Sequence, residues 1–276
     1  MALLLEVSHL SKSLFYYHLR SIPYLEKNKE IVAKIKEIFE NSNKIYGYRR
    51  VSACLRKENL FVNHKKVLKI MNILGLKPYS KKYKKYSSYL GDIGKKFNNI
   101  LNRNFKASKR NEKRLTDVTE FKTSDYKLYF SAFLDVYNQE IIGYSISKSP
   151  TMEFVMESLD NALKNAITNP FSKVIIHSDQ GRHYQSKVFT DKVEKLGFIQ
   201  SMSRKGNCND NGLMEGFFGL MKNEMFYNKK GNFSFNELKK TIEEYIYFYN
   251  NIRIKIGLNS CSPVQYRSWV IQKNKK

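Results

Sequence analysis

Cysteine is scarce in this chain: Cys54, Cys208 and Cys261 are three in 276 residues, odd in number and far apart. They form no Cys-x-x-Cys pair, so neither a zinc ribbon nor a disulfide framework is indicated, and the expectation is reduced thiols in a cytoplasmic protein. Long apolar runs are missing as well. No stretch approaches the roughly 20 residues that span a bilayer, and the opening Met-Ala-Leu-Leu-Leu-Glu is short and lacks the basic flank of a signal peptide. Acid is the scarcest commodity: 25 Asp and Glu face 49 Lys and Arg, a net charge of +24. The deficit is uneven, with 25 basic against 8 acidic side chains in residues 1–112 and 24 against 17 in residues 113–276. With membrane binding disfavoured, such a concentrated excess suits a polyanion, nucleic acid first of all.

What is present divides the chain into four segments. Residues 1–43 read as helical, with Pro23 expected to break the first helix before a charged one at about 26–40. Residues 44–78 carry the pattern of a helix-turn-helix. Tyr48 to Lys57 is a basic amphipathic helix that includes Arg49 and Arg50, Leu60-Phe61-Val62 fills the turn, and Asn63 caps a second helix ending near Gly75. That helix is expected to bury Val67, Leu68, Met71 and Leu74 and to show His64, Lys65, Lys66 and Lys69 to DNA. Residues 79–110 are a basic linker interleaved with tyrosines, suited to tracking phosphates or to tethering. Residues 111–276 turn to an α/β pattern. Strands are predicted at 115–121, 127–136, 140–147, 173–178 and 198–201, and helices at 151–167, 186–196, 211–227 and 236–250. Three strands, a helix, then alternating strands and helices describe an RNase H-like core.

Within that core three acids stand out. Asp117 lies in Thr-Asp-Val-Thr-Glu-Phe, Asp179 ends the apolar run Val174-Ile-Ile-His-Ser, and Glu215 opens a helix after a gap of 35 residues. Spacing alone is weak, because Asp117 and Glu153 reproduce it, with Glu153 explained by its place at a helix start. Context separates the two pairs. An acid at a strand end before the Gly181 turn is where open α/β sheets gather ligand chemistry. Carboxylates from separate elements suit hard divalent cations, and two such cations can break and join phosphodiester bonds. The polar segment 201–212 reads as a flexible loop offering Arg204 and Lys205 to phosphates. Glu215, Gly219 and Lys222 share one helical face, with Gly219 allowing a close backbone approach and Lys222 reaching a phosphate. His177 and His183 read as packing or polar-surface residues.

Four stretches carry a resemblance to a known family: Thr116-Asp-Val-Thr-Glu-Phe121, His177-Ser-Asp-Gln-Gly181, Ser201-Met-Ser-Arg-Lys-Gly-Asn207 and Glu215-x-Phe-Phe-Gly219. They resemble the integrase core of bacterial two-reading-frame insertion-sequence transposases, in the second-frame product. Tyr46-Gly-Tyr-Arg-Arg50, with Val62-Asn63 and Lys65 to Leu68, is similar to that family's helix-turn-helix region, and Tyr249-Asn-Asn251 with Ser262-Pro263 to its C-terminal signature. The resemblance implies an integrase catalytic core, with Asp117, Asp179 and Glu215 as metal-binding catalytic triad and Lys222 as the basic, DNA-binding residue that accompanies it. It further implies two Mg²⁺ ions, with Mn²⁺ substituting, and 3′-end nicking and strand transfer at inverted-repeat ends of double-stranded DNA. A homo-oligomer on DNA, a first-frame product as fusion or partner, and a cytoplasmic, nucleoid-associated location are implied too. The chain is read as lacking the first-frame part. Arg110 and Arg114 stand where the family usually has Pro and Trp, and Gly212 where it has Ala. An Arg in place of a packing Trp is expected to loosen the first strand, which leaves a decayed DNA-binding copy or a regulator of transposition as the alternative.

Overall fold

The computed structural model describes residues 11–78, 95–123, 125–164, 173–226 and 233–273. The tyrosine-rich part of the linker, at 79–94, and the predicted helix ends at 165–167 and 227 lie outside the described residues. The chain forms two compact units, one from the N-terminal residues together with Ile254–Ser260, the other from the central residues up to Arg253 together with the C-terminal helix. No described helix is long and apolar enough to cross a membrane.

The first unit is helical: α1 Lys12–Glu26, α2 Lys29–Asn41, α3 Tyr48–Lys57 and α4 His64–Ile73. Pro23 does not break α1 as expected. It sits inside the helix, and the break falls at Lys27–Asn28. Proline forfeits only its own N–H, while its carbonyl still accepts from Lys27 N–H at 3.0 Å, so the last turn closes. Asn63 caps α4 by accepting the Lys65 N–H at 2.9 Å, and Gly75, with φ of 66°, follows the helix end in the left-handed conformation. The buried positions of α4 are Val67, Ile70 and Met71. Leu68 is partly exposed instead, because Ile70 fills the slot between α4 and its neighbours. A short 3₁₀ turn, Ile256–Leu258, belongs to this unit, and Ile254 N–H donates to the Tyr46 hydroxyl at 3.0 Å.

The second unit is built on a five-stranded sheet. Its strands are β1 Lys113–Lys122, β2 Lys127–Asp135, β3 Ile141–Ser147, β4 Ile175–Ser178 and β5 Ile199–Met202, in the order β3-β2-β1-β4-β5. The β1–β2 and β2–β3 pairs are antiparallel; β1–β4 and β4–β5 are parallel. Period-two alternation on β2 sends Leu128, Phe130, Ala132 and Leu134 to one face and Phe133 to the other. The first face is covered by α8 Gly212–Met221 and α9 Phe235–Asn251, through Met214, Phe217, Met221, Leu238 and Ile242. The second is covered by α5 Met152–Lys164 and α7 Lys187–Lys195, through Val155, Leu159, Phe189 and Val193. A one-turn helix, α6 Arg182–Gln185, precedes α7 where a single helix was expected from 186, because Ser186 adopts an extended conformation and caps α7. The helix predicted through 227 is α-helical only to Met221 and continues as a π turn over Lys222–Phe226. Helix α10, Pro263–Lys273, ends the described chain.

One glycine matters for this packing in a way its sequence context did not signal. A Cβ on Gly143 would stand 2.2 Å from the Ala162 nitrogen, so β3 and α5 approach too closely for any side chain there. Gly219, by contrast, has open space where a Cβ would go, so the close approach expected at that position is absent.

Candidate active site

Three elements meet around Asp117. It sits in the middle of β1, between the antiparallel partner β2 and the parallel partner β4. The parallel ladder aligns Leu115 with His177. The ladder ends there, and Asp179 lies just past the end of β4, near enough to Asp117 for their charges to interact. Asp117 accepts the Val118 N–H at 2.7 Å, and Asp179 accepts the Gly181 N–H at 2.8 Å. A Cβ on Gly181 would crowd that same Asp179 oxygen at 2.8 Å, so a side chain there would displace the carboxylate rather than the turn. Glu215 is exposed on the first turn of α8, a helix anchored beside Asp117 where Asn211 Nδ2 donates to the Thr116 carbonyl at 3.3 Å.

Electrostatics ties these carboxyls together. Burial, and then the neighbouring Asp179, push the Asp117 carboxyl well above the usual carboxylate range, with a smaller push from Glu215; the Val118 N–H and Lys222 pull the other way. Burial likewise raises Asp179, against the Gly181 N–H and His183. Two carboxylates in a low-dielectric groove cannot both ionise cheaply without a cation between them. Lys222, at the start of the π turn, lies with Nζ 5.5 Å from the centre of the Phe121 ring, and burial lowers its pKa against the pull of Glu120 and Asp117.

Segment 201–212 is tied down rather than loose. Ser203 N–H donates to the Ser178 carbonyl at 2.8 Å, and Gln180 Nε2 to the Ser203 carbonyl at 3.0 Å. Arg204 is committed to Asp210 through Nε at 2.9 Å and Nη2 at 2.8 Å, and its exposed neighbour Lys205 lies on the same turn. His177 is fully buried, bridging Ser201 Oγ at 2.8 Å and Ser203 Oγ at 3.1 Å, and burial lowers its pKa to about 4. His183 Nε2 pairs with the Pro150 carbonyl at 2.7 Å. Both histidines thus have structural partners. Sequence reasoning missed Asp210, Asn211 and Arg103; the run Asn-Asp-Asn before a helix was read as turn chemistry alone.

In the helical unit the predicted DNA-facing residues divide. Lys65 is exposed, as is His64, which stacks on Tyr48 with ring centres 6.2 Å apart. Arg49 is exposed and donates to the Tyr48 hydroxyl at 3.2 Å. Lys66 and Arg50 are half-buried, with the Arg50 guanidinium 5.7 Å from the Tyr46 ring centre. Lys69 is exposed but turned onto Tyr24 of α1, Nζ lying 4.1 Å from the ring centre.

Comparison with known proteins gives this geometry its family. The Integrase core domain family matches residues 107–208, a second Integrase core domain family matches 215–271, and the HTH-like domain family matches 26–86. The InsK protein of insertion sequence element IS150 from Escherichia coli (strain K12) is 42% identical over 96% of this chain and 92% of its own length. The transposase for insertion sequence element IS904 from Lactococcus lactis subsp. lactis (strain IL1403) is 31% identical over 87% of this chain and 95% of its own. The chain belongs to the integrase-core transposases of bacterial insertion sequences. Among solved structures, the HTLV-2 integrase catalytic core domain in complex with magnesium is 19% identical, with a TM-score of 0.43, over 57% of this chain and 96% of that one.

In this transposase the two arginines at positions 110 and 114 have distinct surroundings. Arg110 Nη2 stands 3.9 Å from Glu140, which Arg267 also holds at 2.8 Å. Arg114 is wholly buried, and β1 keeps its ladders to both β2 and β4 around it, so the expected loosening of the first strand is absent. Among the described residues, no three His, Cys, Asp or Glu side chains form a ready-made metal cluster. The donor chemistry fits a hard divalent cation nonetheless: Asp117 and Asp179 are near enough for their charges to interact, and each carries a charge that its surroundings penalise.

Proposed function

We propose that this transposase nicks DNA at the 3′ ends of its insertion sequence and joins them to a target, using Asp117, Asp179 and Glu215. The observation that carries the reading is the electrostatic interaction of Asp117, in mid-β1, with both Asp179 past the end of β4 and Glu215 on its helix. These three carboxylates would hold two Mg²⁺ ions, for which Mn²⁺ substitutes; when bound, such ions activate the attacking oxygen and stabilise the leaving oxygen. The remaining roles belong to the chain itself. Asp117 interacts with both of the other acids, so it would be the central carboxylate of the set that holds the ions. The Gly181 N–H fixes the Asp179 oxygen that it donates to. Lys222, close enough to interact with Asp117, offers a positive charge to a phosphate beside the acids. The balanced chemistry is two displacements at phosphorus. Water breaks a phosphodiester and frees a 3′-hydroxyl, and that hydroxyl then forms a new phosphodiester as the target strand's P–O bond breaks.

The substrate reading rests on the net charge of +24 and on the HTH-like segment, with His64, Lys65 and Arg49 the residues best exposed for double-stranded DNA. Oligomerisation on the DNA and pairing or fusion with a first-frame product complete the proposal. The test is incubation of the chain, alone and fused to such a partner, with labelled element ends and Mg²⁺. Cleavage and joining by the wild type, lost in Asp117→Asn, Asp179→Asn and Glu215→Gln, is the expected result. Activity that survives those substitutions removes the triad. Tight, salt-sensitive binding without strand transfer under any divalent metal favours a DNA-binding regulator instead.

A further inference from the structure

Asp210 is wholly buried, yet it is surrounded by the most polar segment of the core unit. One oxygen accepts from Arg103 Nε at 2.7 Å and from Arg204 Nη2 at 2.8 Å. The other accepts from Asn99 Nδ2 at 2.9 Å, Arg204 N–H at 3.0 Å and Arg204 Nε at 2.9 Å. Arg103 also donates through Nη2 to Asn207 Oδ1 at 3.1 Å. The two guanidiniums are each about half exposed, at 46% and 49%, while the carboxylate between them is at 0%. This is the reverse of an ordinary surface ion pair, in which two flexible side chains meet in water and gain little. Here a buried carboxylate fixes one edge of two arginines and leaves Nη1 of each uncommitted among the described residues. Two charges meet one, so the cluster keeps a net positive charge.

Its position is as informative as its charge. Asn211, the next residue, donates to the Thr116 carbonyl beside Asp117, and Ser203 donates to the Ser178 carbonyl beside Asp179. Arg103 comes from the segment that precedes the sheet, a segment held to β5 by Ile100 N–H on Ser201 Oγ at 2.9 Å. Arg204, and through Asp210 also Arg103, is thus held to the turn that leads from β5 into the helix of Glu215.

We infer that Asp210 is a positioning residue that holds Arg103 and Arg204 as a paired clamp for one backbone phosphate of the DNA entering the active site. The inference rests on the DNA reading above and adds to it a residue, Arg103, that the sequence motifs do not include. A fixed guanidinium pair matches phosphate geometry and loses little side-chain freedom on binding, which a mobile pair does not achieve.

The experiment exploits a contradiction of sign. Asp210→Asn adds one positive charge to the protein, so bulk electrostatics alone predicts tighter DNA binding. The clamp predicts the opposite. The full chain is titrated by anisotropy against a fluorescein-labelled duplex of arbitrary sequence over a range of salt, with melting followed by circular dichroism. We expect Asp210→Asn to bind at least about threefold more weakly than wild type, with a salt slope shallower by about 0.9, the value of one phosphate contact. Arg103→Gln with Arg204→Gln, both half exposed, should reproduce that deficit, and the triple variant should add nothing to it. Equal or tighter binding by Asp210→Asn overturns the inference, as does full additivity in the triple variant. If Asp210→Asn does not fold, the double arginine variant decides alone, and an unchanged salt slope there is the refuting result. A wild type whose binding ignores salt overturns the DNA reading itself, an outcome distinct from failure of the clamp.

Discussion

Replacing Arg114 by Met tests how the core tolerates its least usual residue. The side chain is 0% exposed and, among the described residues, makes one hydrogen bond, Nη2 to Asn111 Oδ1 at 3.2 Å, with Nε and Nη1 left without a partner. Its guanidinium lies 5.4 Å from the centre of the Phe198 ring. Burial lowers its pKa to about 10, well below the usual arginine range, even though nearby Asp135 raises it. That drop corresponds to roughly 3 kcal/mol spent on keeping the charge at neutral pH. Methionine removes this cost and keeps most of the length. It forfeits the Asn111 bond and the contact with Phe198, about 1 kcal/mol each. Asp135 loses a cation but keeps the N–H groups of Asn111 and Tyr137, both at 2.9 Å. The net expectation is a gain of about 1 kcal/mol, or roughly 2–4 °C in melting temperature. Urea unfolding at neutral pH, followed by circular dichroism, measures it, and Asp135→Asn completes a double-mutant cycle. A loss of more than about 1 kcal/mol in Arg114→Met, recovered when Asp135→Asn is added, would refute the reasoning, because Arg114 and Asp135 would then be a net stabilising pair.

Three further outcomes follow from the same geometry. In the absence of divalent ions, the raised pKa values of Asp117 and Asp179 mean that stability is fully present at low pH and is lost as pH rises through them. Asp117→Asn should therefore melt higher than wild type at neutral pH, and adding Mn²⁺ should reverse the order by stabilising only the wild type, by about 2–3 kcal/mol at a hundredfold excess over the dissociation constant. Gly181→Ala should cost about tenfold or more in strand transfer while shifting stability by under about 1 kcal/mol, since the new Cβ displaces the Asp179 oxygen rather than the backbone; full activity in that variant would show the turn to be uninvolved. His177, held neutral with its pKa lowered from 6.5 to about 4, has the opposite sign to the acids: its unfolded form binds a proton first, so stability falls as pH drops through that window. The loss amounts to roughly 3 kcal/mol by the lower end, and a His177→Gln variant with the same acid sensitivity as wild type would contradict it.

Much of this transposase can be read from its residues because the relevant signals are local. The five strands and the helices between them follow from alternation, capping and turn residues, and Asn63 and Gly75 mark the ends of α4 as capping chemistry predicts. The acids Asp117, Asp179 and Glu215 are conspicuous because each sits in a motif with its own local context. Where reading failed, the deciding contact came from elsewhere. Pro23 stays in its helix because one more turn could still close, and Ile70 rather than Leu68 is buried because neighbouring helices choose which side of α4 is covered. Gly219 had a proposed role and has no close neighbour; Gly143 had none and is indispensable to the β3–α5 contact.

By itself, the sequence determined the helical and α/β segments, the excess of positive charge and the identity of the three acids. Tertiary structure alone decided which of these meet. The parallel pairing of β1 with β4 brings Asp117 and Asp179 within reach of each other, burial gives the pair its electrostatic tension, and Asp210 gathers arginines from positions 103 and 204 onto one carboxylate. The physical reason is that propensity and periodicity act over a few residues, whereas the acids that set the pKa of Asp117 and the arginine that pairs with Asp210 come from distant parts of the chain, 107 positions away for Arg103 and Asp210.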